Sequence, residues 1–532
     1  MLTAAVLLLC GVLVISVGAT PLPELFVTAD RCMACHNGLV SPAGQDISIG
    51  VDWRASMMAN SARDPYWQAA VRREVLEHPT AKAAIENECS ACHMPMTRFG
   101  AKARGDLGGV FAHLPVVHAD STDDLLAADG VSCSMCHQIA SNGLGEDESF
   151  TAGFVVDTTT AAGERSVFGP YDVDAGRTRI MQSSSRFRPS RAEHIQSSEL
   201  CATCHTLYTH ALDDDGNVVG ELPEQVPYLE WRHSSYANQS SCQSCHMPVV
   251  EGSTEIASVL GLPREEVSRH VFRGGNFFMP RLLNSGRLEL GVAALPQELE
   301  ATSTRTARHL ESAAAELSIA SAEVVGESLE IEVAITNLAG HKLPSAYPSR
   351  RVWLELAVRD AAGDLIFSSG RFRPDGSIEG NDNDADATLF EAHHELIDSP
   401  EDVQIYEAIM AEPGGSITTV LLSAVRYAKD NRLLPDGFDK ATADEDIATH
   451  GRAAGDRDFV GGGDTVHYRV DIDRARTPIE IEATLWYQPI AYRWAQNLRQ
   501  QEAEEIDRFV SLYEGHAAAS AVALAREVAA LP

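Results

Sequence analysis

Ten of the 11 cysteines in this 532-residue chain fall into five pairs. They are Cys32/Cys35, Cys89/Cys92, Cys133/Cys136, Cys201/Cys204 and Cys242/Cys245, and a histidine follows each directly: His36, His93, His137, His205 and His246. Two cysteines at this spacing can form half of a zinc site, a redox dithiol or part of a disulfide frame. The trailing histidines decide between these readings. Histidine fills 19 of 532 positions, so five of five by chance has odds on the order of 10⁻⁷, and Cys-x-x-Cys-His is the attachment signal of c-type haem. Each thiol adds to one vinyl group of a flat ring, and a two-residue gap on a short helical turn brings both sulfurs to it. The next side chain points its imidazole at the iron as the proximal ligand. The spacers Met-Ala, Ser-Ala, Ser-Met, Ala-Thr and Gln-Ser all serve. The expected cofactors are therefore five c-type haems, held by ten cysteines and five proximal histidines.

Each iron can take a sixth ligand. His78, His113, His118, His194, His210, His233, His270, His309 and His341 are available, a surplus that favours bis-histidine coordination and electron transfer over substrate chemistry. The distal candidates are His194, His270, His118, His113, His341 and Met58. His194 lies one short helix before the fourth motif, in "RAEHIQSSELCATCH". His270 sits in "SRHVFRGGN", where two glycines let the backbone pass close to a flat ring. His118 precedes the third motif, with His113 as its rival. His341, in "NLAGHKLPSAYPSRR", follows the first clear strand of the second half; as a ligand it would clamp that half onto the haems. Met58 occupies a slot in a Trp-Arg-x-Ser-x-x-Ala frame that Tyr236 occupies in a second copy. No residue is assigned a catalytic role.

The elements that position these groups divide the chain. All five motifs lie between 32 and 246. Here short helical patches and turns dominate, as expected where porphyrins themselves form the core. A partial repeat is visible: Trp53, Arg54, Ser56 and Ala59 match Trp231, Arg232, Ser234 and Ala237, each set lying between two haem motifs. The tryptophans read as packing residues. From about 315 to 490 the pattern alternates, as in "LEIEVAIT", "VWLELAV" and "IEIEATLWY", with "RDAAGD" as a hairpin turn. The expected architecture is multidomain: a signal peptide over 1–19, an α-rich, loop-rich pentahaem domain over 20–312, an antiparallel β-sandwich over 313–490, and a C-terminal helical segment over 491–532.

The apolar run at 2–19 ends in Val-Gly-Ala and reads as a secretory signal, so the protein is expected to be exported, to the periplasm or surface of a bacterium. A membrane association is expected only if that segment stays uncut. Cys10 inside it follows Leu9, which argues against a lipoprotein site. The formal net charge of −34 excludes nucleic acid as a partner and favours basic redox proteins or other cytochromes. The Ala-rich end, 516–532, has a disordered composition. "GNDNDADA" at 380–387 has alternating oxygens that could hold Ca²⁺, but lacks the spacing and closing Glu of an EF-hand loop.

The chain resembles the multihaem c-type cytochromes of the cytochrome c-552/c-554-like group. The resemblance rests on "DGVSCSMCHQI", "SSELCATCHTL", "EQVPYLEWRHSSYANQSSCQSCHMP" and "RHVFRGGN", and in the second half on "GHKLPSAYPSRRVWLEL", "VQIYEAIM" and "KDNRLLPDGFDK". It implies electron carriage in a respiratory or extracellular chain. Related proteins often place a distal histidine in the Trp-x-x-Ser-x-His frame; here Met58 and Tyr236 stand there, so those haems need ligands from elsewhere, or one is open. Two other functions remain: a reductase or oxidoreductase of a small nitrogen or sulfur compound at one open haem, with Tyr236 and His233 above it, and a filament-forming unit assembled through the sandwich.

Overall fold

The computed structural model describes residues 24–473 and 475–532; the expected signal peptide and Cys10 lie outside the described residues. The first half is built of short helices joined by long irregular segments. Helix α1 (Pro65–Glu77) begins where the Asp64 carboxylate accepts the backbone N–H groups of Tyr66 and Trp67, at 2.9 and 3.2 Å, with Pro65 in its first turn. Helix α2 (Lys82–His93) carries the second haem motif at its C-terminal end. The other motifs lie on or against short helices: Asp30–Met33, Cys133–Cys136, Ser198–His205 and Cys242–His246. Residues three apart share a face of such a turn, so the thiols of each pair project together. Strand content here is slight, chiefly an antiparallel hairpin of Leu207–Leu212 with Val218–Gln225. Helix α3 (Pro296–Ala313) closes this half.

The second half is a two-sheet β structure. One sheet pairs β1 (Ala315–Val325) with β2 (Ser328–Asn337), and β2 with a later strand at Gly463–Asp471, all antiparallel; Leu396–Ile397 adds a short parallel edge. The other is centred on β3 (Arg351–Arg359). One edge of β3 pairs along its length with Ile479–Gln488. Its other edge is shared by β4 (Leu365–Ser369) and β5 (Ile405–Ala411), and β5 pairs onward with β6 (Arg426–Asp430). With β7 as Gly463–Asp471 and β8 as Ile479–Gln488, β2 and β7 alternate buried and open positions along their lengths, as strands with one covered face must. Strand β5 is buried at every position, because both its faces are covered. The "RDAAGD" turn joins β3 to β4, with Gly363 N–H donating to Asp360 O at 2.8 Å.

The C-terminal segment departs from the sequence expectation. It starts as two helices, α4 (Tyr492–Leu498) and α5 (Glu504–His516), but Val522–Leu531 is a strand, β9, paired antiparallel with β8. The alanines that read as helical or disordered follow the open edge of β8; pairing overrides propensity. Helix α5 returns to the first half, where Arg72 holds Glu505 through two bonds of 2.8 and 2.9 Å and Phe509 packs on Tyr66. One apolar cluster runs from Phe277, Leu282 and Leu299 into Leu329, Leu354 and Tyr468. The residues before 312 thus share the sandwich core. Among the described residues no helix is long and apolar enough to cross a membrane.

Candidate haem-binding cavity

A continuous cavity of about 1050 Å³ runs through the first half to the edge of the sandwich, and all fifteen motif side chains line it. The ten cysteines are free thiols. Thiols of different motifs touch: Cys32 hydrogen-bonds Cys133, Cys92 hydrogen-bonds Cys204, and Cys201 hydrogen-bonds Cys242. Cys136 is an electrostatic neighbour of Cys204. The fourth motif therefore adjoins the second, third and fifth, and the first reaches it through the third.

Four of the five motif histidines are oriented alike. Nδ1 donates to a backbone carbonyl: His36 to Ile256 at 2.6 Å, His93 to Ser61 at 3.0 Å, His137 to Phe168 at 2.6 Å and His246 to Arg273 at 2.5 Å. That fixes the tautomer and leaves Nε2 with its lone pair for a metal. Burial holds these imidazoles below their ordinary pKa, to about 4 for His93 and His246, so they are neutral ligands at pH 7. His205 has no such carbonyl bond and opens more of its surface to the cavity.

Two further histidines face motif histidines. The His137 and His270 ring centroids lie 6.3 Å apart with planes 20° from parallel; His246 and His341 lie 6.3 Å apart at 12°. With a metal–nitrogen bond of about 2.0 Å and a nitrogen lying about 1.1 Å from the ring centre, two imidazoles sharing one iron would stand about 6 Å apart. Both gaps fit an iron between the rings. His270 Nδ1 is buried without a hydrogen-bond partner, and burial pushes its imidazole down to about 3. His341 Nδ1 is held by Lys342 O at 2.9 Å.

The remaining distal candidates are placed differently. His194 does not line the cavity; its Nε2 donates to Ile139 O at 2.8 Å and its ring packs on Phe168. His113 is engaged by Asp124 at 2.7 Å, and His118 is exposed; neither lines the cavity. Closeness to a motif along the chain did not bring these rings to the cavity wall. Met58 does line the cavity, packed near Cys133 and Phe272. Nothing in the structure supports calcium at 380–387, where several of the oxygens have other partners. In 380–387, buried Asp384 binds Arg351 at 2.9 Å, Asp386 accepts from Thr388, and Asn381 caps Asn383. A second cluster, His393 with Asp456 and Asp464, is a hydrogen-bond network. Backbone N–H groups of His394 and Glu407 fix the oxygens of Gln404 and Asn431, turning both amide nitrogens onto His393 Nδ1. Nε2 must then carry the proton, which it donates to Asp456 at 2.9 Å.

The repeat in the sequence is a structural brace. Ser56 Oγ donates to Trp53 O and Ser234 Oγ to Trp231 O, both at 2.7 Å. In the second copy Ser234 also donates to Gly340 O at 3.1 Å, and the Tyr236 hydroxyl donates to Leu338 O at 3.0 Å. Tyr236 thus supports the loop that carries His341. Below that loop, buried Glu230 binds Arg432 at 2.9 Å and accepts from Lys342 N and Ser345 Oγ, while Lys342 and Arg432 share Asp430 at 2.7 Å each. Burial opposes ionisation of Asp430, but Arg432 and Lys342 outweigh it and hold the carboxyl far below its ordinary range. His233 points away, its Nε2 donating to Asp439 O. Sequence reasoning missed Trp67, whose ring stacks on His93 at 4.3 Å, and Arg350 and Tyr487, which reach the cavity from the second half; no local motif marks them.

No family model matches the chain, and no curated protein matches it. Among solved structures, the crystal structure of a penta-heme cytochrome c552 from Thermochromatium tepidum matches with a TM-score of 0.54 and 16% identity. The alignment covers 96% of this chain and all of the other. The two chains share a multihaem cytochrome-like fold. The alignment spans the first half and the two-sheet second half alike.

Proposed function

We propose that the protein is an exported c-type cytochrome carrying electrons through five covalently attached haems in a respiratory or extracellular chain. The observation that carries this reading is the single cavity lined by every motif, in which each motif has a thiol in contact with a thiol of another. Haem, when bound, supplies one-electron chemistry, its iron alternating between ferric and ferrous states. The chain supplies the rest. Its cysteines fix the rings edge by edge, the carbonyl-anchored imidazoles set the ligand tautomer, and His270 and His341 close two sixth positions. The sulfur contacts order the sites as a branched path that meets at Cys201–Cys204. The acidic surface favours a basic redox partner.

The test is the mass of purified protein together with its spectrum. Apoprotein plus five haems, reducible by a low-potential donor and reoxidised by an acceptor protein, is the expected result. A colourless protein, or zinc at the cysteines, overturns it. A second reading, reduction of a small nitrogen or sulfur compound at one open haem, is favoured by one observation. Among the described residues no second imidazole faces His36, His93 or His205 across a 6 Å gap. A five-coordinate high-spin signal is its signature.

A further inference from the structure

Tyr487 ends strand β8 inside the cavity wall. It is 2% exposed, and its hydroxyl has no hydrogen-bond partner. A buried polar group left alone is costly and calls for a ligand or another explanation. Beside it lies Arg350, which also lines the cavity. The recorded polar partner of its side chain is one carbonyl, Ser345 O at 3.0 Å from Nη1. Among the described residues it has no carboxylate within ion-pair distance, although the chain holds 76 acidic residues against 42 basic ones. Gly275 keeps this corner open: a Cβ there would collide with the Tyr487 hydroxyl and lie 3.4 Å from Arg350 Nη1. The neighbouring Gly274 faces His246. The Arg350 charge also reaches His205, where it adds to burial in holding the imidazole neutral. A guanidinium and a phenol converging on one space form a donor set for planar oxyanions.

We propose that Arg350 and the Tyr487 hydroxyl form an oxyanion site on the cavity wall beside Gly275, taking a carboxylate or another small planar anion. This rests on the reading of the cavity as a haem array. The anion has two sources: a propionate of a neighbouring haem, or a free anion such as nitrite. In either case the sandwich half contributes directly to the environment of the branch-point motif.

The experiment compares full-length wild type with Arg350→Gln, Arg350→Lys and Tyr487→Phe, after mass spectrometry has established the haem count of each. Wild type lacking haem would sink the haem reading itself and is recognised at that step. Given five haems, redox potentiometry and a nitrite titration followed by absorbance and electron paramagnetic resonance are run on each protein. If a propionate is the ligand, Arg350→Gln lowers the midpoint potential of one haem and leaves four unchanged. Tyr487→Phe does so to a smaller degree, Arg350→Lys largely restores the potential, and nitrite has no effect. If the ligand is a free anion, nitrite perturbs one haem of the wild type, and Arg350→Gln weakens that binding about tenfold or more, the size of a lost charged hydrogen bond. Five unchanged potentials in Arg350→Gln and Tyr487→Phe, with no response to nitrite in any protein, overturn the proposal. If Arg350→Gln fails to fold, Tyr487→Phe, which loses one oxygen, decides it by the same readings.

Discussion

The two halves of the molecule stabilise themselves by different means. In the second half, Leu329, Ile331, Val333, Leu354, Leu356 and Val358 are 0–1% exposed and belong to one apolar cluster. In the first half, away from the residues that join that cluster, the apolar groups are small and separate, ringed around open space, for example Leu39 with Ile47, Val250 and Val267, or Phe26 with Met96, Met135 and Phe154. A chain segment of that length ordinarily needs a contiguous core to offset its conformational entropy. On the function proposed above, the contrast teaches that the first half leaves to its haems the part that leucine and valine play in the second.

The largest effect should come from withdrawing a cofactor. Cys201→Ala with Cys204→Ala removes the central attachment point. The expected result is a mass deficit of one haem and rapid proteolysis within 24–276, with the sandwich surviving as a resistant fragment. Equal resistance of both halves would break the comparison. Glu230→Gln should cost about 3 kcal/mol in denaturant unfolding, since it leaves two buried cations, Arg432 and Lys342, with Asp430 as their remaining carboxylate. It should also separate unfolding of the halves into two transitions. Leu354→Ala on β3 should cost about 3 kcal/mol, the usual range for a buried leucine, without altering the haem spectrum.

His341→Ala should leave mass and fold intact yet convert one low-spin haem to high spin. The smallest effect concerns pH. Burial pushes the Asp464 carboxyl up to about 7, only partly offset by the Tyr406 hydroxyl, which donates to Oδ2 at 2.6 Å. A carboxyl with a raised folded-state pKa holds its proton in the fold after the unfolded chain has lost its own. Its contribution is therefore fully present below about pH 4 and is lost as pH rises to about 7. Asp464→Asn should flatten that decline, read from unfolding midpoints at pH 4, 5.5 and 7.

What was legible in the sequence follows from where each constraint lies. The five motifs were readable because their cysteines and histidine lie within five consecutive residues, the span that attachment to one ring would require. His270, named for its two following glycines, and His341, named for its loop after the first clear strand, both line the cavity and face motif histidines. His194, named for its closeness to a motif along the chain, does not line it, because such proximity carries no information about which way a ring points. Arg350 and Tyr487 were invisible, since they meet the cavity only through the packing of β3 and β8. The strands of the sandwich were legible from alternation. Strand β9 was not, because Ala-rich "VALAREVAAL" has no strand signal of its own and takes its conformation from β8.

The loop that carries His341 also imposes an order on maturation. On the proposed reading as an exported haem protein, the chain is delivered from its N-terminus, and thioether formation at Cys242 and Cys245 can follow their emergence at once. The imidazole opposite His246 arrives only after the sandwich has closed on Glu230 and Tyr236 has caught the loop. Newly attached but incompletely assembled protein should thus carry a high-spin absorption band that fades as the second half docks, an optical clock for the last stage of biogenesis.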